Sequence, residues 1–168
     1  MANRNTQGFG LIPAGTLGST PATSGTGKYK IDAGSATTIF QGGAVSSTAG
    51  YIVEGQGTAD NPMVGVLNGI FFNAATTLKP TFQNHYVQVT PANSEDIDAF
   101  VFDNPQQQYV VATDAAVAQS GYLETYDMNA SAGSTTTGKS SSTLDIGDTS
   151  NDAAAFRLLR SAEDPEND

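Results

Sequence analysis

The chain has no cysteine and no tryptophan, a single histidine, and only seven basic residues against seventeen acidic ones. Without cysteine there are no disulfides, no thiol nucleophiles and no thiolate metal sites. That fits assembly in a reducing cytoplasm. The net charge of −10 argues against nucleic acid, because binding it draws on neutralisation of phosphates. It argues equally against an anionic membrane surface, and it favours solubility and resistance to aggregation. No apolar run approaches the roughly 20 residues that a membrane-spanning helix needs. The opening residues, Met1 to Gln7, lack the apolar region of a signal peptide, so the expectation is a chain not secreted by that route.

What is present is Gly, Ser, Thr and Ala in abundance, a composition of short strands and many turns. A length of 168 residues suits one domain with a real core. The longest apolar run, Met63 to Phe72, reads as the central strand. Alternation places Val64, Val66, Ile70 and Phe72 on one face and Met63, Leu67 and Phe71 on the other. Both faces are apolar, so the strand is expected to be covered on both sides. Gly65 and Gly69 within it predict a bulge or a closely passing backbone.

Around this strand the texture is regular. Lys28–Asp32, Thr37–Phe40, Tyr51–Val53, His85–Val89, Ile97–Phe102 and Tyr109–Ala112 read as short strands, with Val87 and Val89 facing the core. Asn73–Asn84 reads as a long loop, and Asp103-Asn104-Pro105 as a turn. Asp114–Gln119 predicts one helical turn capped by Asp114. Ala153–Arg160 predicts a last strand with Phe156 and Leu158 inward, its three alanines leaving a short helix as the alternative. The predicted fold class is all-β, a small barrel or sandwich of short antiparallel strands with an extended N-terminal arm. The predicted divisions are an arm over residues 1–27, a β-rich core over 28–160 with a low-complexity loop at 129–143, and an acidic tail over 161–168.

Residues 1–27 contain six Gly, five Thr and two Pro and keep no period of 2 or 3.6. Composition alone favours a disordered tail. Phe9, Leu11, Ile12 and Leu17, however, are unusual company for a purely solvating segment. The arm is therefore read as lying on another chain, with those four residues as its contacts.

Candidate chemistry is sparse. Gly133-Ser-Thr-Thr-Thr-Gly138-Lys139-Ser140 matches the phosphate-loop pattern, in which backbone amides cradle phosphates, the lysine reaches the outer ones and the serine holds Mg²⁺. That chemistry requires a buried strand before the loop and a helix after it. Neither is legible in 126–132 or 141–147, so the match is read as chance and no cofactor is expected. His85, the only histidine, has no nucleophile or ligand partner at a useful spacing and is read as structural. Glu95, Asp96 and Asp98 lack the spacing of a calcium loop, and no metal is expected.

The order of pieces carries more. Gly8-Phe9-Gly10 opens the arm, then come Ile39-Phe40-Gln41-Gly42-Gly43-Ala44-Val45, Val64-Gly65-Val66 with Gly69, and Ala99-Phe100-Val101-Phe102-Asp103-Asn104-Pro105. Phe156-Arg157-Leu158-Leu159-Arg160 and Asp164-Pro165-Glu166-Asn167 close it. Together these resemble the capsid decoration (cement) proteins of tailed bacteriophages. The resemblance implies a non-enzymatic virion protein, assembled in the host cytoplasm, that binds the outer capsid surface and bridges neighbouring capsomers. Its implied partners are the major capsid protein and itself, as a homotrimer. Alternatives are another virion component (tail, neck or fibre) and a carbohydrate-binding β module.

Overall fold

The computed structural model describes residues 8–18, 25–55, 62–129, 133–147 and 154–162. The fold is all-β and antiparallel in its ladders. Its strands are β1 (Ile12–Thr16), β2 (Gly27–Ile31), β3 (Ala44–Thr48), β4 (Tyr51–Glu54), β5 (Met63–Asn73), β6 (Pro80–Gln83), β7 (Ile97–Phe102) and β8 (Gln107–Val110). Four two-residue strands follow: β9 (Thr125–Tyr126), β10 (Met128–Asn129), β11 (Thr143–Leu144) and β12 (Phe156–Arg157). Among the described residues no helix is long and apolar enough to cross a membrane.

The central run is the central strand. β5 pairs with β3, β6 and β7, and the sheet continues outward to β2 on one side and β4 on the other. The sheet curls until its end strands, β2 and β4, approach one another without joining by ladder hydrogen bonds. A side-chain bond, Tyr51 Oη donating to Asp96 Oδ2 at 3.1 Å, crosses from β4 to the foot of β7. The architecture is thus an open sandwich and not a closed barrel.

Two apolar clusters occupy the two faces. Inside the curl lie Ile31, Val45, Leu67, Ile70, Ile97, Ala99 and Val101, with Tyr86 fully buried among them. On the outer face Leu11, Ala44, Val66, Tyr126, Met128 and Leu144 form the second cluster. Ala44 and Val45 are neighbours in sequence yet belong to different clusters, as strand alternation demands.

The predicted faces of the central strand were shuffled by two ladder irregularities. One lies opposite Val45/Ser46, the other between Leu67 and Gly69. Each inserts a residue and flips the phase of all side chains beyond it. Leu67, Ile70 and Phe72 therefore share the inner cluster with Val64, while Met63 and Val66 look outward. The glycines mark the predicted features. Gly69 closes the bulge, and a Cβ on Gly65 would collide with the Phe102 carbonyl and the Val101 side chain of the adjoining strand.

Other expectations are corrected. Asn73–Asn84 is not a loop throughout: Pro80–Gln83 folds back on β5 as β6. Thr37–Phe40 and His85–Val89 contribute a single bridge, Ile39 to Tyr86, and Tyr86 enters the core deeper than Val87 or Val89. Asp114–Gln119 forms no helical turn; a short 3-10 turn lies at Gln119–Gly121. Asp114 instead accepts from the Ile146 amide through its carboxylate. The strand reading near the end holds for Phe156–Arg157, paired with β9, with Phe156 and Leu158 packed on the outer cluster.

Candidate functional site

The leader is the least ordinary part of the chain, and its described stretch, residues 8–18, packs on its own domain. The Gly10 amide donates to Ser142 O at 3.2 Å and the Leu11 amide to Gly42 O at 2.7 Å. Gly10 has φ +74°, where any L side chain is strained. A Cβ there would lie 2.7 Å from the Gly42 carbonyl and 2.9 Å from Ser140 Cβ. The glycines of Gly8-Phe9-Gly10 thus serve a narrow passage between the Gly42 turn and the Ser140–Ser142 strip. In that strip the buried Ser140 and Ser142 hydroxyls lie 2.8 Å apart and satisfy each other.

Beyond the passage Leu11 drops into the outer cluster, only 2 % exposed. This corrects its assignment as a contact on a foreign surface. A leader without its own core was expected; it shares the domain's core, because β5, β7 and the late strands leave an apolar face that something must cover. Phe9 is half-buried in the same passage. Residues 1–7 and 19–24, also part of the predicted arm, lie outside the described residues.

After Leu11 the chain forms an antiparallel ribbon of β1 with β8. The Leu17 amide donates to Gln106 O at 2.9 Å, and Gln107 Nε2 donates to Gly15 O at 2.6 Å. Ile12 stands directly opposite Val110, and both are exposed, at 51 % and 38 %. Leu17 at the ribbon's end is 53 % exposed. Of the four residues singled out in the leader, two are therefore built into the fold and two stand in solvent.

Beside the ribbon runs an open cleft of about 1370 Å³. Ala14, Leu17, Met63, Phe102, Tyr109 and Leu158 line it, with Arg157 and Arg160 alongside. Burial, reinforced by the nearby Asp103 carboxylate, pushes the Tyr109 hydroxyl up to about 12, so it stays a neutral donor, to Phe102 O at 3.3 Å. Apolar side chains make up most of the cleft's walls, and its charged groups are Arg157, Arg160 and Asp103.

The phosphate-loop match has a different geometry from the one its chemistry requires. Ser134 and Lys139 face each other across a tight turn. The amides of Ser134 and Gly138 bond within that turn, those of Thr137 and Lys139 bond to the Ser134 and Thr137 hydroxyls, and that of Ser140 donates to Gln41 O. Ser140 is buried against Ser142, and no helix follows. These amides are taken, so Gly133, Gly138, Lys139 and Ser140 form no phosphate cradle. The turn is a clip: Asn84 Nδ2 donates to Thr137 O at 2.8 Å, and the Gln41 amide donates to Gly138 O at 2.9 Å.

His85 stacks on Phe40, centroids 5.8 Å apart and planes 7° from parallel, with Nδ1 2.9 Å from Asn84 Oδ1. It packs as a structural ring. Asp98 pairs with Lys28 at 2.7 Å and Lys30 at 2.6 Å. Burial alone would raise its pKa, but the two lysine hydrogen bonds outweigh it and hold the carboxyl below the usual range. Among the described residues no group of three His, Asp or Glu is placed to hold a metal ion.

Sequence reasoning missed Tyr109 and Val110, whose proximity to the leader depends on a strand pairing nearly a hundred residues apart, and the two arginines, Arg157 lying in β12, which pairs with β9. It also missed an aromatic pair on the outer sheet face: Phe82, 62 % exposed, has its ring 5.9 Å from that of Phe100. Comparison with family models, with curated proteins and with solved structures returns no match.

Proposed function

We propose that this chain is a non-enzymatic virion structural protein that decorates the outside of an icosahedral phage capsid, bridging neighbouring capsomers as homotrimers. The observation that carries the reading is the division of the leader. Leu11 anchors it in the fold, while Ile12 and Val110, opposed across the ribbon, and Leu17 at its other end stand exposed near an open, largely apolar cleft. Exposed apolar side chains gathered around an open cleft suit a protein-binding surface. Arg157 and Arg160 add donors suited to carboxylates on a partner. A net charge of −10 is repelled by packaged DNA, which favours the outer shell surface.

The test is co-sedimentation with capsids of the parent phage from which the protein has been stripped. Wild-type protein should pellet with them, and an Ile12→Ser/Leu17→Ser variant should bind at least about tenfold more weakly, each lost anchor being worth on the order of 1 kcal/mol or more. Wild-type protein left in the supernatant, or antibody labelling confined to the tail of intact particles, overturns the capsid assignment.

A second reading, a carbohydrate-binding β module, is favoured by the exposed Phe82 and its neighbour Phe100. It predicts saturable glycan binding that Phe82→Ala abolishes; a glycan screen without a hit removes it.

A further inference from the structure

We infer that the outer sheet face carries a subsite for a neutral sugar, with Phe82 as the stacking platform and the side-chain amides of Asn68 and Gln41 reading the hydroxyls. The inference takes nothing from the capsid reading. It rests on the glycan reading, to which it adds the class of ligand and the groups that select it.

Alone among the described aromatic residues, Phe82 stands exposed, at 62 %. Its ring is nevertheless held in place. A Cβ on Gly69 would lie 2.7 Å from Phe82 Cζ, so the ring rests against β5 where a side chain would otherwise stand. Glycine within a strand marks a close approach of this kind. The Phe100 ring lies 5.9 Å away, tilted by 38°, and Phe71 is the partner of Phe82 across the β5–β6 ladder. One side of the ring is thus backed by the sheet and the rest faces solvent. A flat apolar ring fixed in this way matches the C–H face of a pyranose, with little side-chain entropy left to lose on binding.

The polar half of the subsite comes from the bulge. Asn68 is the residue inserted between Leu67 and Gly69, and bulges re-aim side chains. Here an amide is carried by the residue next to the glycine under the ring. Gln41 Nε2 donates to Asn68 Oδ1 at 3.4 Å, and Asn84 Nδ2 donates to Gln41 Oε1, also at 3.4 Å. Asn84 is tied more firmly, to Thr137 O at 2.8 Å, so the clip holds one end of the row. A primary amide has two N–H donors and an oxygen with two lone pairs. Among the described residues the row uses one lone pair of Asn68, and one donor and one lone pair of Gln41. Both N–H groups of Asn68 and one of Gln41 remain for a ligand, each beside a carbonyl with a lone pair to spare. Neighbouring hydroxyls on a sugar present the reciprocal pattern of donor and acceptor. Bonds of 3.4 Å are weak, so the row yields to such a ligand at little cost.

Charge sets the class of sugar. The lysines beside Phe100 are already paired: Lys28 and Lys30 lie 2.7 and 2.6 Å from the Asp98 carboxylate. Glu95 and Asp96 are also within electrostatic reach of Lys30. No surplus positive charge is left to draw a carboxylated sugar, and the groups nearest the ring are uncharged amides. A single exposed ring framed by polar groups is also a smaller apolar patch than a protein interface uses.

The test is a titration of the full-length, ¹⁵N-labelled chain with neutral oligosaccharides of glucose, galactose, mannose and N-acetylglucosamine, and in parallel with oligogalacturonate. The expected result is a saturable shift of the Asn68 and Gln41 side-chain NH₂ signals, together with the Gly69 amide, on addition of a neutral sugar. Asn68→Ala and Gln41→Ala should each weaken that binding about three- to tenfold, and Phe82→Ala should abolish it. The wild-type shifts carry the test even where a variant folds poorly. Binding that leaves both NH₂ signals unmoved, variants at 68 and 41 that bind as wild type, or a preference for oligogalacturonate overturns the inference and leaves the glycan reading standing. A chain whose signals no sugar moves overturns both.

Discussion

Two carboxylates on this fold respond to acid in opposite senses. Asp98 is held below the usual carboxylate range by Lys28 and Lys30. Its contribution is therefore present above the unfolded-state pKa and is lost as the pH falls through the folded one. Asp98→Asn should lower the melting temperature at neutral pH, and the deficit should vanish in strong acid. The lysines are half-exposed or more, so screening limits the effect to about 1 kcal/mol or less. Glu54 is the reverse case, with burial raising its carboxyl pKa. Its ionised form is the disfavoured one, so the cost appears as the pH rises from the unfolded value through the raised folded value. Glu54→Gln should be more stable than wild type at neutral pH and indistinguishable from it well below the carboxylate range. Melting curves of both variants across pH 2–8 check the two signs together. At Gly10 the issue is geometry. The left-handed φ and the facing Gly42 carbonyl mean that Gly10→Ala should cost at least about 1–2 kcal/mol, measurable as a shift of the denaturation midpoint.

Among the elements, the 133–140 turn shows how a motif can match in letters and differ in physics. A phosphate loop needs free amides pointing at a common centre; here those amides close a turn and tie it to Gln41, while the Thr137 carbonyl accepts from Asn84. Lys139 is exposed. Lys139→Ala should change stability by less than about 0.5 kcal/mol, and calorimetry with ATP or GTP should give no saturable heat for either protein. Gly138→Ala, at φ +70° and packed against Asn84 and His85, should destabilise where Lys139→Ala does not. The central strand makes a related point. Its apolar character and its glycines announced a strand covered on both faces, and that is how β5 sits. Which side chain goes to which face was illegible, because each bulge resets an alternation that a sequence reading runs uninterrupted.

At the scale of the whole molecule, legibility follows the range of the contacts. Local signals such as the strand runs, the turn at Asn104 and the missing helix chemistry of Lys139 could be read from short windows. Leu11 could not. Its neighbours Ala44, Val66, Tyr126, Met128 and Leu144 come from four separate segments, and nothing within the leader's own sequence signals that they converge. Gly and Thr around it gave the texture of a tail, while one leucine completed a core. The exposure of Ile12 and Val110 was hidden for the same reason, since their pairing spans most of the chain.

The account turns on the leader belonging to the fold, and thermal unfolding of Leu11→Ala tests that most directly. Burial at 2 % exposure in the outer cluster predicts a loss of roughly 2–5 kcal/mol, a fall in Tm of about 5–15 °C for a chain of this length. A Tm within about 1 °C of wild type would mean that the leader contributes nothing to the domain's core, and would contradict the account.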